Sequence, residues 1–258
     1  MLTRMSRPVA LVTGPTAGIG LAFVHELARR GHDLVLVSRN RDRLEEVAAE
    51  LRSAYGVVTE VIAADLADRT DLARVEERVA ATERPVDLLV NNAGFGLKHG
   101  FLDNDVETEQ RMLDVLVTAV LRLSHAAMRQ MVERGSGGII NVSSVAGYLP
   151  RGTYSAAKAY VTQLSQWADL TYRDRGVRTM ALLPGFTKTE FHARMDVGRD
   201  SAPSWMWLDA DTLVRDALAD FAKGRTVSVP SVRYKALSAV AKYTPAGLQA
   251  RFQALGRK

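Results

Sequence analysis

The chain predicts a single α/β domain built on a doubly wound parallel sheet with helices on both faces. Three observations carry this. Short apolar runs alternate with amphipathic stretches of helical period, the pattern of successive strand–helix–strand crossovers. The first apolar run opens onto a glycine-rich turn, Thr13-Gly14-Pro15-Thr16-Ala17-Gly18-Ile19-Gly20, that leads straight into a helix. The length of 258 residues, 47% of them hydrophobic, is enough to bury one large core.

Val9–Thr13 has the unbroken apolar character of a buried parallel strand, and Leu21, Val24, Leu27 and Ala28 mark one face of the helix after the turn. Glycines between a strand and a helix let the backbone approach a pyrophosphate, whose charge meets the helix N-terminus. The candidate cofactor contacts in this turn are Gly14, Thr16, Gly18, Ile19 and Gly20. A second strand, Asp33–Ser38, ends at Arg39, with Arg41 and Arg43 opening the helix over 41–54. The end of this strand faces the adenosine ribose of a bound dinucleotide, where an acid would accept bonds from both hydroxyls and repel a 2′-phosphate. Ser38 and Arg39 stand there instead, and a guanidinium suits a phosphate, so NADP(H) is expected over NAD(H).

Residues 57–63 form a third strand that ends at Asp65-Leu66, and a helix over 70–81 leads to a strand over 86–90. That strand runs into Asn91-Asn92-Ala93-Gly94, a turn of polar and small residues at a strand's carboxyl end, where open α/β sheets hold ligands. A long helix is expected over 106–134, with Met112, Leu113, Leu116, Val120 and Leu123 on its apolar face. Then come a strand over 137–143, a helix over 153–175 and a strand over 177–183 that ends at Pro184-Gly185. Periodicity fades over 186–208, where Trp205 and Trp207 cluster near Pro203. This stretch is either a lid over an apolar substrate or a surface loop anchored by its tryptophans.

Tyr154 and Lys158 stand four apart and so share a helix face, with the Ser143 and Ser144 hydroxyls shortly before them. A cation beside a phenol stabilises the phenolate and moves it towards the range of a working general acid or base. The spacing alone is common; the turns around it give it meaning.

Composition narrows the possibilities further. With no cysteine, disulfides and thiolate metal sites are excluded, and the five histidines show no ligand spacing, so no metal is expected. No run reaches the roughly 18 apolar residues of a membrane span, and the N-terminal apolar run enters the glycine turn as a strand. A soluble, cytoplasmic protein is expected. The net charge of +5 is uneven: residues 221–258 hold eight Lys or Arg and no acid, so the first 220 residues carry −3. The basic balance belongs to the tail and implies no nucleic-acid binding by the body.

The motifs Thr13-Gly-x-x-x-Gly-Ile-Gly20, Asp65-Leu66, Asn91-Asn-Ala-Gly94, Ser143-Ser144, Tyr154-x-x-x-Lys158 and Pro184-Gly185 with Thr187 and Thr189 occur in one order along the chain. In that order they resemble the short-chain dehydrogenase/reductase family, from Val9 to about Val229. The resemblance implies a Rossmann-like NAD(P)-binding catalytic domain and an oxidoreductase interconverting a ketone and a secondary alcohol, with a lipophilic substrate suggested by Phe186, Phe191, Trp205 and Trp207. Tyr154 would protonate the carbonyl oxygen, Ser144 would hold it, and Lys158 would bind the nicotinamide ribose and lower the phenol's pKa. Asn91 and Ala93, with Gly94 beside them, would meet the adenosine ribose and neighbouring atoms, and Asp65 with Leu66 the adenine. The backbone after Pro184-Gly185, with Thr187 or Thr189, would hold the carboxamide. A homo-oligomer, dimer or tetramer, built on the two long helices is also implied.

Two departures stand out. The family's long central helix usually carries an asparagine that anchors a water leading from the lysine to solvent; here the position is Leu116. Either backbone carbonyls hold that water, or turnover is slow, or the chain is a catalytically weak nucleotide-binding relative acting as a scaffold. The ten-residue step from Ser144 to Tyr154 is also short for the family, which bears on substrate fit. The chain thus divides into a catalytic domain over 1–230, including the 186–208 segment, and a basic amphipathic extension over 231–258. The extension is read either as a terminal helix over the substrate pocket or against another subunit, or as a peripheral contact for anionic membrane or an acidic carrier.

Overall fold

The computed structural model describes residues 7–187 and 203–243, with side chains as far as 238. Its centre is a seven-stranded, all-parallel sheet: β1 (Val9–Thr13), β2 (Asp33–Ser38), β3 (Thr59–Ala63), β4 (Val86–Asn91), β5 (Gly137–Val142), β6 (Val177–Leu182) and β7 (Val227–Ser228). The strand order is β3-β2-β1-β4-β5-β6-β7. The chain builds outward from β1 to β3, then crosses back to β4 on the other side of β1. That reversal opens a crevice at the carboxyl ends of β1 and β4, where the glycine turn and Asn91–Gly94 meet. The predicted doubly wound sheet is therefore observed. β7 was not foreseen, because two residues are too few to leave a period in sequence.

The connecting helices are α1 (Gly18–Arg29), α2 (Arg41–Tyr55), α3 (Arg69–Ala80), α4 (Val106–Leu113), α5 (Ala119–Arg134), α6 (Thr153–Tyr172), α7 (Ala210–Ala222) and α8 (Val232–Tyr243). Their ends follow local chemistry. The Asn40 side chain accepts the Arg43 N–H at 3.0 Å to start α2, and Gly56 ends it in the left-handed region at φ 62°. Asp68 caps α3 through the N–H groups of Thr70 and Asp71. The inner strands are buried on both faces, while the edge strand β3 is half-buried throughout. One layer packs α1, α2 and α7 around Phe23, Leu27, Leu44 and Leu213; the other packs α3 and α5 around Leu72, Val75, Leu123 and Met131.

The predicted helix over 106–134 is one rod interrupted by a π-helical turn, Asp114–Thr118, whose widened ladder is closed by the Ala119 N–H bonding back to the Asp114 carbonyl. Such bulges reset the register of a helix face and gather at functional sites. Leu116 lies inside it, 1% exposed.

Candidate active site

The glycine turn depends on close backbone approach. Gly14 and Gly18 hold positive φ values of 67° and 55°, which a side chain disfavours. At Gly20 a Cβ would lie 2.0 Å from the Gly14 carbonyl oxygen and 2.4 Å from Asn92 Nδ2. Thr16 and Ile19 are half-buried on the same turn. The turn is tied to the neighbouring loop by two side chains. The Asn92 amide donates to the carbonyls of Thr13 (2.9 Å) and Gly14 (3.0 Å). The Thr13 hydroxyl oxygen accepts the N–H groups of Asn92 (3.0 Å) and Ala93 (2.9 Å). A narrow glycine cradle at a helix N-terminus, between two strand ends, fits a dinucleotide's pyrophosphate.

Asn91 and Asn92 divide their work in a way the motif alone did not reveal. The Asn91 amide, 4% exposed, donates to Asn141 Oδ1 (2.8 Å) and Ser124 Oγ (3.1 Å), inside the protein. Asn141 in turn donates to Ser165 Oγ at 3.0 Å, so these side chains brace β4 and β5 against α5 and α6. Both donors of the Asn91 amide are thereby committed to this brace, which leaves its backbone and Oδ1 to meet a ligand. Asn92, which carried no separate expectation, holds the cradle shut.

At the end of β2, Ser38 is half-buried and Arg39 exposed, with no carboxylate at either position. Asp65 does not stand free for an adenine. It pairs with Arg111 of α4, and its Oδ1 accepts the Ala67 N–H at 3.1 Å. Burial pushes this carboxyl up, but the Ala67 N–H, the Arg111 guanidinium and the nearby charge of Arg39 together hold it below the usual carboxylate range. Leu66 is buried at 7% exposure.

Ser144, Tyr154 and Lys158 converge. Ser144 starts the 3₁₀ turn Val145–Tyr148, accepting the Ala146 N–H at 3.1 Å, and its side chain hydrogen-bonds the Tyr154 phenol. The short step between them is spanned by this turn and by Gly152 at φ 82°, which starts α6 one residue before the tyrosine. Gly147 lets the turn lie on α6: a Cβ there would be 2.9 Å from the Ala159 nitrogen. Lys158, 6% exposed, donates from Nζ to the Val142 carbonyl at 2.8 Å, and Nζ sits 5.7 Å from the Tyr154 ring centroid. The Ser143 hydroxyl is held inside, donating to the Lys158 carbonyl at 2.7 Å with Thr162 Oγ1 2.8 Å away.

One electrostatic expectation is corrected. Lys158 was to lower the phenol's pKa; in this geometry burial wins and pushes Tyr154 up to about 12, with the Ser144 hydrogen bond opposing. The ammonium itself is pulled down by burial to about 8. The reason is distance and direction: Nζ is aimed at the Val142 carbonyl, with the ring to one side.

Beyond β6, the Pro184 carbonyl accepts the Val145 N–H at 3.1 Å, joining this segment to the serine turn. Thr187, 2% exposed, donates to the Gly185 carbonyl at 3.1 Å and bridges to Leu208. Thr189 and Phe191 lie outside the described residues. The Phe186 and Trp207 rings meet with centroids 5.6 Å apart, while Trp205 is 52% exposed. A residue with no sequence signal also reaches this segment: Tyr234 of α8 packs on Gly185.

Among the described residues no group of three or more His, Cys, Asp or Glu could hold a metal, and no helix is long and apolar enough to cross a membrane.

Residues 8–199 match the model of a family described as short chain dehydrogenase. A curated relative, the very-long-chain 3-oxoacyl-CoA reductase of Anas platyrhynchos, is 33% identical over 81% of this chain and 67% of its own length. The human protein of that name is 35% identical over 70% of this chain, which spans only 60% of the relative. Among solved structures, a short-chain dehydrogenase from Sphingobium yanoikuyae in complex with NADPH is 36% identical, with a TM-score of 0.84 over 94% of this chain and 95% of that one.

Proposed function

The chain belongs to the short-chain dehydrogenase family of nicotinamide-dependent oxidoreductases, and we propose that it interconverts a lipophilic ketone and a secondary alcohol with NADP(H). The observation that carries this is the half-buried hydroxyl pair of Ser144 and Tyr154, with buried Lys158 on the tyrosine's helix face, beside the glycine cradle. When bound, the nicotinamide supplies or accepts the hydride. Ser144 holds the carbonyl oxygen by hydrogen bonding. Tyr154, kept protonated by burial, delivers its proton to that oxygen as charge develops. Lys158 holds the cofactor ribose and lends positive charge to the phenolate that forms. Gly14, Thr16, Gly18, Ile19 and Gly20 cradle the pyrophosphate, the backbone of Asn91, Ala93 and Gly94 borders the adenosine side, and the 184–187 backbone holds the carboxamide.

Support for NADP(H) comes from Ser38 and exposed Arg39 at the end of β2, where a carboxylate would repel a 2′-phosphate, and from the NADPH complex of the 36% identical relative. The Phe186–Trp207 pair favours an apolar substrate, in keeping with the names of two relatives, the 3-oxoacyl-CoA reductase and a bulky-bulky ketone specific alcohol dehydrogenase from Comamonas testosteroni, 32% identical with a TM-score of 0.79 and 94% coverage of both chains. Leu121 of α5 and Tyr160, Trp167 and Leu170 of α6 are exposed large apolar side chains, which favour a homo-oligomer built on these helices.

The test is a panel of long-chain 3-oxoacyl thioesters and bulky ketones with NADPH and NADH, read against Tyr154→Phe. Arg39→Ala is expected to raise the KM for NADPH about tenfold and leave that for NADH unchanged. NADPH binding without turnover above the Tyr154→Phe level favours a weak or inactive relative acting as a scaffold, which Leu116 alone supports.

A further inference from the structure

The backbone that follows β6 is held from three sides, and one hold comes from the C-terminal helix. The Val145 N–H donates to the Pro184 carbonyl at 3.1 Å, and the Leu208 N–H to the Phe186 carbonyl at 2.8 Å. The third partner is Tyr234, 3% exposed. Its hydroxyl accepts the Phe186 N–H at 3.0 Å and donates to the Met206 carbonyl at 2.9 Å. The hydroxyl end of its ring covers Gly185, where an added Cβ would lie 2.0 Å from Cζ and 2.3 Å from both Cε atoms. Glycine at 185 is thus required by the ring above it, independently of backbone angle. Next to it, Arg233 donates from Nη1 to the Trp205 carbonyl at 2.7 Å, and α8 also packs on the turn that follows Ser144.

We infer that Tyr234 is a positioning residue for the nicotinamide end of the cofactor: it fixes the peptide plane at 185–186 and ties that segment to residues 205–208. The inference rests on the proposed reading of 184–187 as the carboxamide clamp. The helix that carries Tyr234 is thereby part of the cofactor site. Burial pushes the phenol's pKa up, so its hydroxyl stays a donor across the working pH range. One hydroxyl that both accepts and donates uses its proton and a lone pair on the protein itself, which suits a brace rather than a group that reacts.

The test compares full-length wild type with Tyr234→Phe, which keeps the ring and removes both hydrogen bonds. Binding is titrated by tryptophan fluorescence with NADPH and with 2′-phospho-ADP-ribose, the same molecule without its nicotinamide. Tyr234→Phe is expected to weaken NADPH about tenfold, from two lost hydrogen bonds, and to leave the fragment's affinity unchanged. KM for NADPH rises with it, more than kcat falls. Lys235→Ala, exposed on the same helix, changes neither ligand. If Tyr234→Phe does not fold, Gly185→Ala, which displaces the ring from below, is expected to give the same split. Equal weakening of both ligands, or of neither, overturns the inference. Wild type that binds the fragment but gains nothing from the nicotinamide overturns the clamp reading and the brace with it, and wild type that binds neither ligand overturns the cofactor assignment.

Discussion

Leu116 presses on Gly94: a Cβ at the glycine would lie 2.8 Å from Leu116 Cδ2 and 3.8 Å from Lys158 Nζ. The leucine closes the apolar cluster of Met112, Ala157 and Tyr154 beneath the lysine, within a π-helical turn. A turn wound this way departs from the ordinary carbonyl ladder, so backbone can hold a water where the family uses an amide. Leu116→Asn is therefore expected to raise turnover less than about threefold. It should lower stability by on the order of 1–3 kcal/mol, because an amide replaces apolar contact in a buried cluster. Urea midpoints and steady-state rates check both halves; a gain of orders of magnitude in rate would show that the natural relay is broken.

Tyr154→Phe is expected to cut carbonyl reduction on the order of 10²–10⁴-fold while NADPH binding persists, since only the transferable proton is removed. Ser144→Ala should fall in the same direction, losing the phenol's hydrogen-bond partner as well as its own hold on the substrate oxygen. Single-turnover reduction with pre-bound NADPH separates this loss from binding.

The pH dependence follows from burial of the pair. Tyr154 stays protonated up to about 12, whereas Lys158 loses its charge as pH rises through about 8. The kcat/KM for reduction, which reports groups of the free enzyme, is expected to be level below pH 8 and to decline above it. Lys158→Arg keeps its charge at high pH and should lower the rate while abolishing that limb. A pH–rate profile of both proteins decides.

Glu26 is expected to make folding acid-sensitive. Arg29 above all, and then Arg30, hydrogen-bond this buried carboxylate and, against the cost of burial, hold it down at about 2. A depressed carboxyl contributes stability that is complete above its unfolded value of 4.5 and is lost as pH falls through 2. Glu26→Gln should cost on the order of 1–3 kcal/mol near neutrality, discounted for the exposure of both arginines, and almost nothing relative to wild type near pH 2. Denaturation midpoints at the two pH values measure the difference.

Gly20→Ala should disable the cradle. The new methyl would lie 2.0 Å from the Gly14 oxygen, a backbone atom that cannot swing aside. Relief requires the turn to part from Asn92, with an expected loss of about 1–3 kcal/mol in stability and a larger loss in NADPH affinity. Melting temperature and a fluorescence titration read the two effects.

Whatever depends on neighbours along the chain is legible in the residues alone. Short unbroken apolar runs and helical periodicity located strands and helices, and the glycines after β1 together with the small residues after β4 located the crevice. The Tyr154–Lys158 spacing placed both side chains on one face because one helix carries them. Which side chains remain available in that crevice is set by packing between segments far apart in the chain. Asn91 and Asn92 are adjacent and alike, yet strand register sends one to Asn141 and brings the other to Thr13 and Gly14. The Asp65 carboxylate pairs with Arg111 from 46 residues away, a partner that no motif announces. Lys158 was expected to depress Tyr154, and the Val142 carbonyl redirected it. Tyr234 reaches Phe186 across 48 residues with no motif of its own. Such partners are set by how strands align and helices pack in three dimensions, and no local period records them.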